Sequence, residues 1–257
     1  MEASVLLKEK KNQSMANASA LEGYEKYYDE SIGTHSVKLE NFTKYVTRES
    51  ITRFLARHEA FMKQLNVCGS IVELGVFRGG SIMQWSHLSS IYEPVNYTRH
   101  IFGFDTFEGF PEINEKDISE TGKTDLLRKG GLNVEYGMKE DIEKSIALWD
   151  KTRYLNHIPK TTLIKGDIVN TLPEFIEQNQ HLVVSLLHID VDLYEPTKLA
   201  LELLTPRMPK GAVILFDELN MKIFPGETMG VFETVGIMNL RIHKPIYAPN
   251  ISYAIIE

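Results

Sequence analysis

Cysteine is nearly absent from this chain. One residue, Cys68, in 257 excludes an intrachain disulfide, a Cys-x-x-Cys redox pair and a multi-cysteine zinc site. Such usage fits a reducing compartment. Long apolar runs are missing too. No segment approaches the roughly 20 apolar residues that span a bilayer. The opening MEASVLLKEKKNQSMANASA has only a short apolar stretch at Val5 to Leu7, too short for a signal-peptide core, and Lys8 to Lys11 follow it. The expectation is a cytoplasmic protein without a membrane partner. Basic charge is in deficit: 28 Lys and Arg against 35 Asp and Glu give a formal charge of −7. A nucleic-acid partner needs a basic face, so none is expected. Internal repeats and low-complexity tracts are also absent.

What remains is ordinary globular material, 43% hydrophobic, 10% aromatic and 25% charged. The length suffices for a substantial core. Residues 1 to 20 are polar and aperiodic and read as a flexible arm; residues 21 to 257 read as a single domain. Glu49 to Leu65 carries apolar residues at three- and four-residue spacing, with Thr47 as N-cap and Gly69 beyond the end. Strand and helix patterns then alternate. SIVEL (70–74) precedes a helix over 81–92 that Pro94 stops. HIFGF (100–104), TTLIKG (161–166), LVVSLLHID (182–190) and GAVILF (211–216) are further strands. Helices are expected around Leu172 to Glu177 and over Lys198 to Leu204. Strands apolar on both faces, each followed by a helix, predict a parallel sheet covered on two sides. Leu240 to Tyr247 and Ile251 to Ile256, parted by Ala248-Pro249-Asn250, predict a closing antiparallel hairpin. Residues 111 to 157 break the alternation. They predict a partly helical insertion, with Ile142, Ile146 and Trp149 on one helix face, placed as a lid over the open end of the sheet.

Glu73-Leu74-Gly75-Val76-Phe77-Arg78-Gly79-Gly80-Ser81 leaves a buried strand and opens a helix. Glycines there permit a tight turn and close ligand approach, and helix-start N–H groups favour a carboxylate or phosphate. The spacing Gly-x-x-x-Gly-Gly breaks the dinucleotide fingerprint. Asp105 ends the next strand, thirty residues after Gly75. An acid there accepts hydrogen bonds from ribose hydroxyls, or caps the following helix. Asp167 ends a later strand, where it reaches an adenine amino group or caps a helix beginning near Asn170.

Asp190 and Asp192 follow the most apolar strand, and Asp217 and Glu218 follow the next. If the two strands are neighbours, four carboxylates converge at the open end of the sheet. Their repulsion requires a cation, a shared proton or nearby bases. Oxygen ligands of this kind suit Mg²⁺. The alternative is salt bridging to Arg207, Lys198 or Lys222. The histidines at 58, 157, 181, 188 and 243 show no metal-ligand spacing, and none is expected to be a ligand.

VELGVFRGGS, GFDTFEGFP, KGDIVNTLPEF, HIDVDLYEPT and GAVILFDE together resemble the successive motifs of the macrocin O-methyltransferase family, a group of class I methyltransferases, over about Asn41 to Thr234. The resemblance implies a Rossmann-like α/β fold with a seven-stranded, mostly parallel sheet and an antiparallel last strand. It implies S-adenosylmethionine as methyl donor, a divalent cation beside a sugar hydroxyl, a small-molecule acceptor and a homo-oligomer. Glu73, Gly75, Phe77, Gly79 and Ser81 would surround the methionine end. Asp105, Thr106 and Phe107 would hold ribose and adenine, and Asp167 and Ile168 would flank the adenine. Asp190, Asp217 and Glu218 match the metal positions. Glu218 departs from a usual aspartate, Val191 from a usual glycine and Pro196 from a usual serine.

The expected function is therefore O-methyl transfer to a sugar or glycosylated metabolite, with Asp192 or Asp190 as base. A nicotinamide-dependent oxidoreductase and a non-catalytic nucleoside-binding protein are the alternatives.

Overall fold

In a computed structural model of the chain, residues 15–122, 124–248 and 250–257 are described. The chain divides into two compact units, residues 1–55 and 56–257. The first unit contains α1 (Met15–Glu30), α2 (His35–Glu40) and the start of α3 (Arg48–Gln64). Helix α1 takes up the last residues of the expected polar arm; residues 1–14 lie outside the described residues. This unit has its own side-chain contacts. Tyr45 meets the rings of Tyr27 and Tyr28 at 5.5 and 5.2 Å, and the buried Lys38 ammonium donates to the Tyr28 carbonyl. Thr47 accepts the Ser50 N–H at 3.2 Å, as expected for the α3 N-cap.

The second unit is a seven-stranded sheet between two helical layers. Its strands are β1 (Ser70–Leu74), β2 (Ile101–Asp105), β3 (Thr161–Lys165), β4 (Val184–Ile189), β5 (Val213–Phe216), β6 (Ile242–His243) and β7 (Ser252–Ile255). They lie in the order β3-β2-β1-β4-β5-β7-β6, with β7 running antiparallel to both β5 and β6. Every residue of β1, β4 and β5 is buried, which is why these strands are mostly apolar; Ser70, Glu73, Ser185 and His188 are their buried polar members. The expected α/β fold is the one observed.

The parallel connections need crossover helices. These are α4 (Gly80–Tyr92), α5 (Met138–Asp150), α6 (Ile168–Gln178) and α7 (Tyr194–Leu204), with α8 (Gly226–Glu233) following β5. One core layer joins Ala60, Phe61, Trp85, Ile142, Ile146 and Trp149 to the sheet; the other joins Ile168, Leu172, Leu201, Leu204 and Val231. Helix α5 is the helix expected within residues 111–157, with Ile142, Ile146 and Trp149 buried on one face. Residues 138–150 form the β2-to-β3 crossover, and their apolar stripe is core. Among the described residues no helix is long and apolar enough to cross a membrane.

The strand order reverses at β1, so a crevice opens outside the carboxyl ends of β1 and β4. Both loops leaving that point touch there. Gly75 has φ +89°, and a Cβ on it would stand 1.8 Å from the Asp190 carbonyl oxygen. Only glycine fits.

Candidate functional site

The turn after β1 is bent by backbone conformations that most residues avoid. Gly75, Phe77 and Gly79 all have positive φ, at 89°, 52° and 81°. Gly79 precedes α4 as its N-cap, and no side chain caps the first-turn N–H groups from that position. Ser81 donates its hydroxyl to Glu73 Oε1 at 2.6 Å. Glu73 is fully buried beneath the turn, so in this structure it braces the loop from below.

Asp105 stands opposite. One carboxylate oxygen accepts the Phe77 N–H at 2.7 Å and the other accepts the Phe107 N–H at 2.6 Å. Burial pushes its pKa up, while these backbone donors pull it down. A carboxylate offers about four acceptor sites, so Asp105 retains acceptor capacity for a further donor. Thr106 is occupied locally, donating to the Gly109 carbonyl at 2.7 Å. On the neighbouring strand Asp167 caps α6, accepting the Val169 N–H at 3.1 Å, with Ile168 buried behind it. The helix thus begins at Ile168, two residues before the expected Asn170. Gly166 donates to the Asp105 carbonyl at 2.9 Å, which sets the two acids on adjacent strand ends.

The acid cleft lies on the β4 side of the crevice. Asp190 donates its N–H to the Leu74 carbonyl at 2.9 Å, and Asp217 donates its N–H to Ile189 at 3.2 Å. Adjacent strands therefore carry the acids together, as expected. Asp192 is buried and has φ 61°. Asp190 is pushed up to about 7, first by burial and then by Asp217, against the pull of His188 and Arg57. The Arg57 guanidinium lies 3.9 Å from Asp190. That residue, on α3, supplies the positive charge; Arg207 instead donates to the carbonyls of Gln180 and Leu182.

One donor atom from each of His188, Asp190 and Asp217 lies within 4.8 Å of the others. Glu218 is outside that group, and His188 is inside it, against the expectation that no histidine would join. Glu218 is buried, and its N–H is held by Glu227 Oε1 at 3.1 Å. Glu227 is a further acid that the sequence did not single out. It is fully buried, and its pKa is raised well above the ordinary range by burial and by Asp217 and Asp190. The signal was a lone glutamate in the apolar segment IFPGETMGVF.

Asp117 was also missed. It closes a capping box, accepting the Asn114 N–H at 2.8 Å. Its other oxygen accepts the Tyr194 N–H at 2.6 Å. Leu193, the cap residue of α7, has no side chain able to do so; the insertion caps this helix from outside. Lys116 donates to both oxygens of Glu233 at 2.7 Å and to the Tyr194 hydroxyl at 3.0 Å. Phe110, Leu193 and Phe224 form a small separate core with Leu126, Leu127 and Leu132 against it. The insertion is thereby fastened to the segments that follow Asp192 and Glu218.

The sequence model described as macrocin-O-methyltransferase (TylF) matches residues 34–233. The 8-demethyl-8-(2,3-dimethoxy-alpha-L-rhamnosyl)-tetracenomycin-C 4'-O-methyltransferase of Streptomyces olivaceus is 27% identical over 154 residues, 59% of this chain and 53% of that protein. The chain thus spans about half the length of that curated relative. The crystal structure of CalS11, calicheamicin methyltransferase, superposes with a TM-score of 0.90 at 28% identity, over 95% of this chain and 94% of that one. An apo structure of CalS11, described as TDP-rhamnose 3'-O-methyltransferase, gives 0.82 at 26% identity, over 95% and 96%.

Proposed function

The chain belongs to the macrocin-O-methyltransferase (TylF) family, and from that premise we propose that it methylates a hydroxyl of a sugar or glycosylated small molecule, with S-adenosylmethionine as donor. The relatives' described acceptors, a rhamnosyl compound and a TDP-sugar, support the acceptor class. One observation carries the reading. The glycine turn and the acid loop meet at Gly75 and Asp190, so a donor on the first lies beside a proton acceptor on the second.

The residues fit such a donor. The Gly75–Ser81 turn and the α4 N-terminus would hold its carboxylate end. The remaining acceptor capacity of Asp105 would serve the ribose hydroxyls, and Ile168 would flank the base. When bound, the donor supplies a methyl group already activated by its sulfonium charge.

The cleft also fits a divalent cation, because His188, Asp190 and Asp217 bring donor atoms within 4.8 Å of one another. Such an ion, when bound, offsets carboxylate repulsion and lowers the pKa of a coordinated hydroxyl. Asp192 takes the acceptor proton, and its buried setting strengthens that interaction. The fastened insertion excludes water and aligns the acceptor.

The test is incubation with methyl-labelled donor and a panel of nucleotide-linked and glycosylated deoxysugars. Label on a sugar oxygen, lost in Asp192→Asn, is expected. Label appearing on nitrogen or carbon would contradict the reading.

A further inference from the structure

The floor of the acid cleft is not built from oxygen alone. His188 and Asp190 are two residues apart along β4 and its exit, so strand alternation sends both side chains to one face of the sheet. The register pairs Ile189 with Phe216, which sets Asp217 beside Asp190. These three residues are the ones whose donor atoms gather within 4.8 Å.

His188 is fully buried, yet neither ring nitrogen makes a hydrogen bond. Buried polar atoms in native proteins are almost always satisfied. Its surroundings explain the exception. Trp85 meets the ring edge-on at 5.6 Å. Glu73, its cross-strand partner in the register, places Oε2 3.7 Å from Nδ1. Ser81 in turn holds Glu73 through Oε1 at 2.6 Å. A metal-bound imidazole characteristically has a carboxylate on its other nitrogen, itself fixed by a hydrogen bond. The chain Ser81–Glu73–His188 has that order and ends at two further carboxylates.

We propose that His188 is a nitrogen ligand, and that with Asp190 and Asp217 it selects a first-row transition dication over Mg²⁺. This rests on the cation reading above and changes its ligand set. Imidazole nitrogen favours the transition dications, whereas Mg²⁺ takes oxygen donors and retains its waters. Affinity should rise in the order Mg²⁺, Mn²⁺, Co²⁺.

The experiment loads the purified full chain with Mn²⁺, follows the free-ion paramagnetic resonance signal, and records electron spin-echo modulation of the bound ion. Nitrogen-14 modulation from one imidazole is expected, with Co²⁺ displacing Mn²⁺ and Mg²⁺ failing to do so at about tenfold excess. His188→Gln should weaken Mn²⁺ binding by about tenfold or more. Bound Mn²⁺ without nitrogen modulation, equal competition by Mg²⁺, or no Mn²⁺ uptake overturns the proposal. The spin-echo readout uses the natural chain, so a misfolded variant does not decide the matter. S-adenosylmethionine uptake is measured on the same sample. Uptake without nitrogen-coupled metal sinks this proposal alone, whereas a nitrogen-coupled metal without donor uptake sinks the methyl-transfer reading alone.

Discussion

The Asp105 carboxylate accepts the Phe77 N–H at 2.7 Å, tying the end of β2 to the turn that follows β1. The bond spans 28 positions of sequence and holds Phe77 at φ 52°, a conformation that costs a non-glycine residue energy. It also fixes the two elements proposed to grip opposite ends of one nucleoside. The same carboxylate thus shapes the turn and faces the crevice.

Asp105→Ala should weaken S-adenosylmethionine binding by about 1–3 kcal/mol, the range for hydrogen bonds to a charged group. Titration calorimetry reads this as roughly a five- to 150-fold loss of affinity. Unchanged affinity would remove Asp105 from the ribose site.

Asp190 gives a pH signature. Its carboxyl is pushed up to about 7 in the folded protein, against an ordinary unfolded value near 4. As pH climbs between these values, the unfolded chain ionises while the folded chain keeps its proton. Wild-type stability therefore declines through that window and levels off above it. Asparagine cannot ionise. In chelator, the thermal advantage of Asp190→Asn over wild type should be larger at pH 8 than at pH 5. An advantage independent of pH would mean that burial does not hold the proton on Asp190.

Asp117→Ala should strand the N–H groups of Tyr194 and Asn114, each costing about 1–3 kcal/mol. Urea unfolding measures that loss. Steady-state kinetics should show a raised acceptor KM with donor affinity preserved, since the insertion is fastened on the acceptor side. The reverse pattern would place the insertion over the donor.

Glu227 separates charge from hydrogen bonding. Glu227→Gln keeps an acceptor for the Glu218 N–H and removes a carboxyl whose ionisation is disfavoured among the neighbouring acids. In chelator it should unfold at higher temperature than wild type, and exceed Glu227→Ala by about 1–3 kcal/mol. Equal destabilisation by both substitutions would show that the acceptor is irrelevant.

The fold was legible because β1, β4 and β5 are buried on both faces and are therefore mostly apolar, with Glu73 and His188 as the buried ionisable exceptions. The glycine turn and the strand-end acids were legible for a related reason: topology fixes where strands end. Helix α8 was not. Its glycines argue against a helix by propensity, and packing explains them. A Cβ on Gly226 would lie 2.1 Å from Asp117 Oδ1, and one on Gly230 would lie 2.8 Å from the Thr197 methyl. Asp117 and Glu227 were hidden because their partners, Tyr194 and Glu218, are supplied by tertiary contact. His188 was readable in principle, since a period of two puts it on the face of Asp190, but a lone histidine carries no ligand spacing of its own.

The decisive measurement is titration of S-adenosylmethionine into the folded, purified chain by calorimetry. Saturable one-to-one uptake that Asp105→Ala weakens is the predicted result. No heat of binding at millimolar donor would contradict the proposed activity, while the seven-stranded sheet would stand.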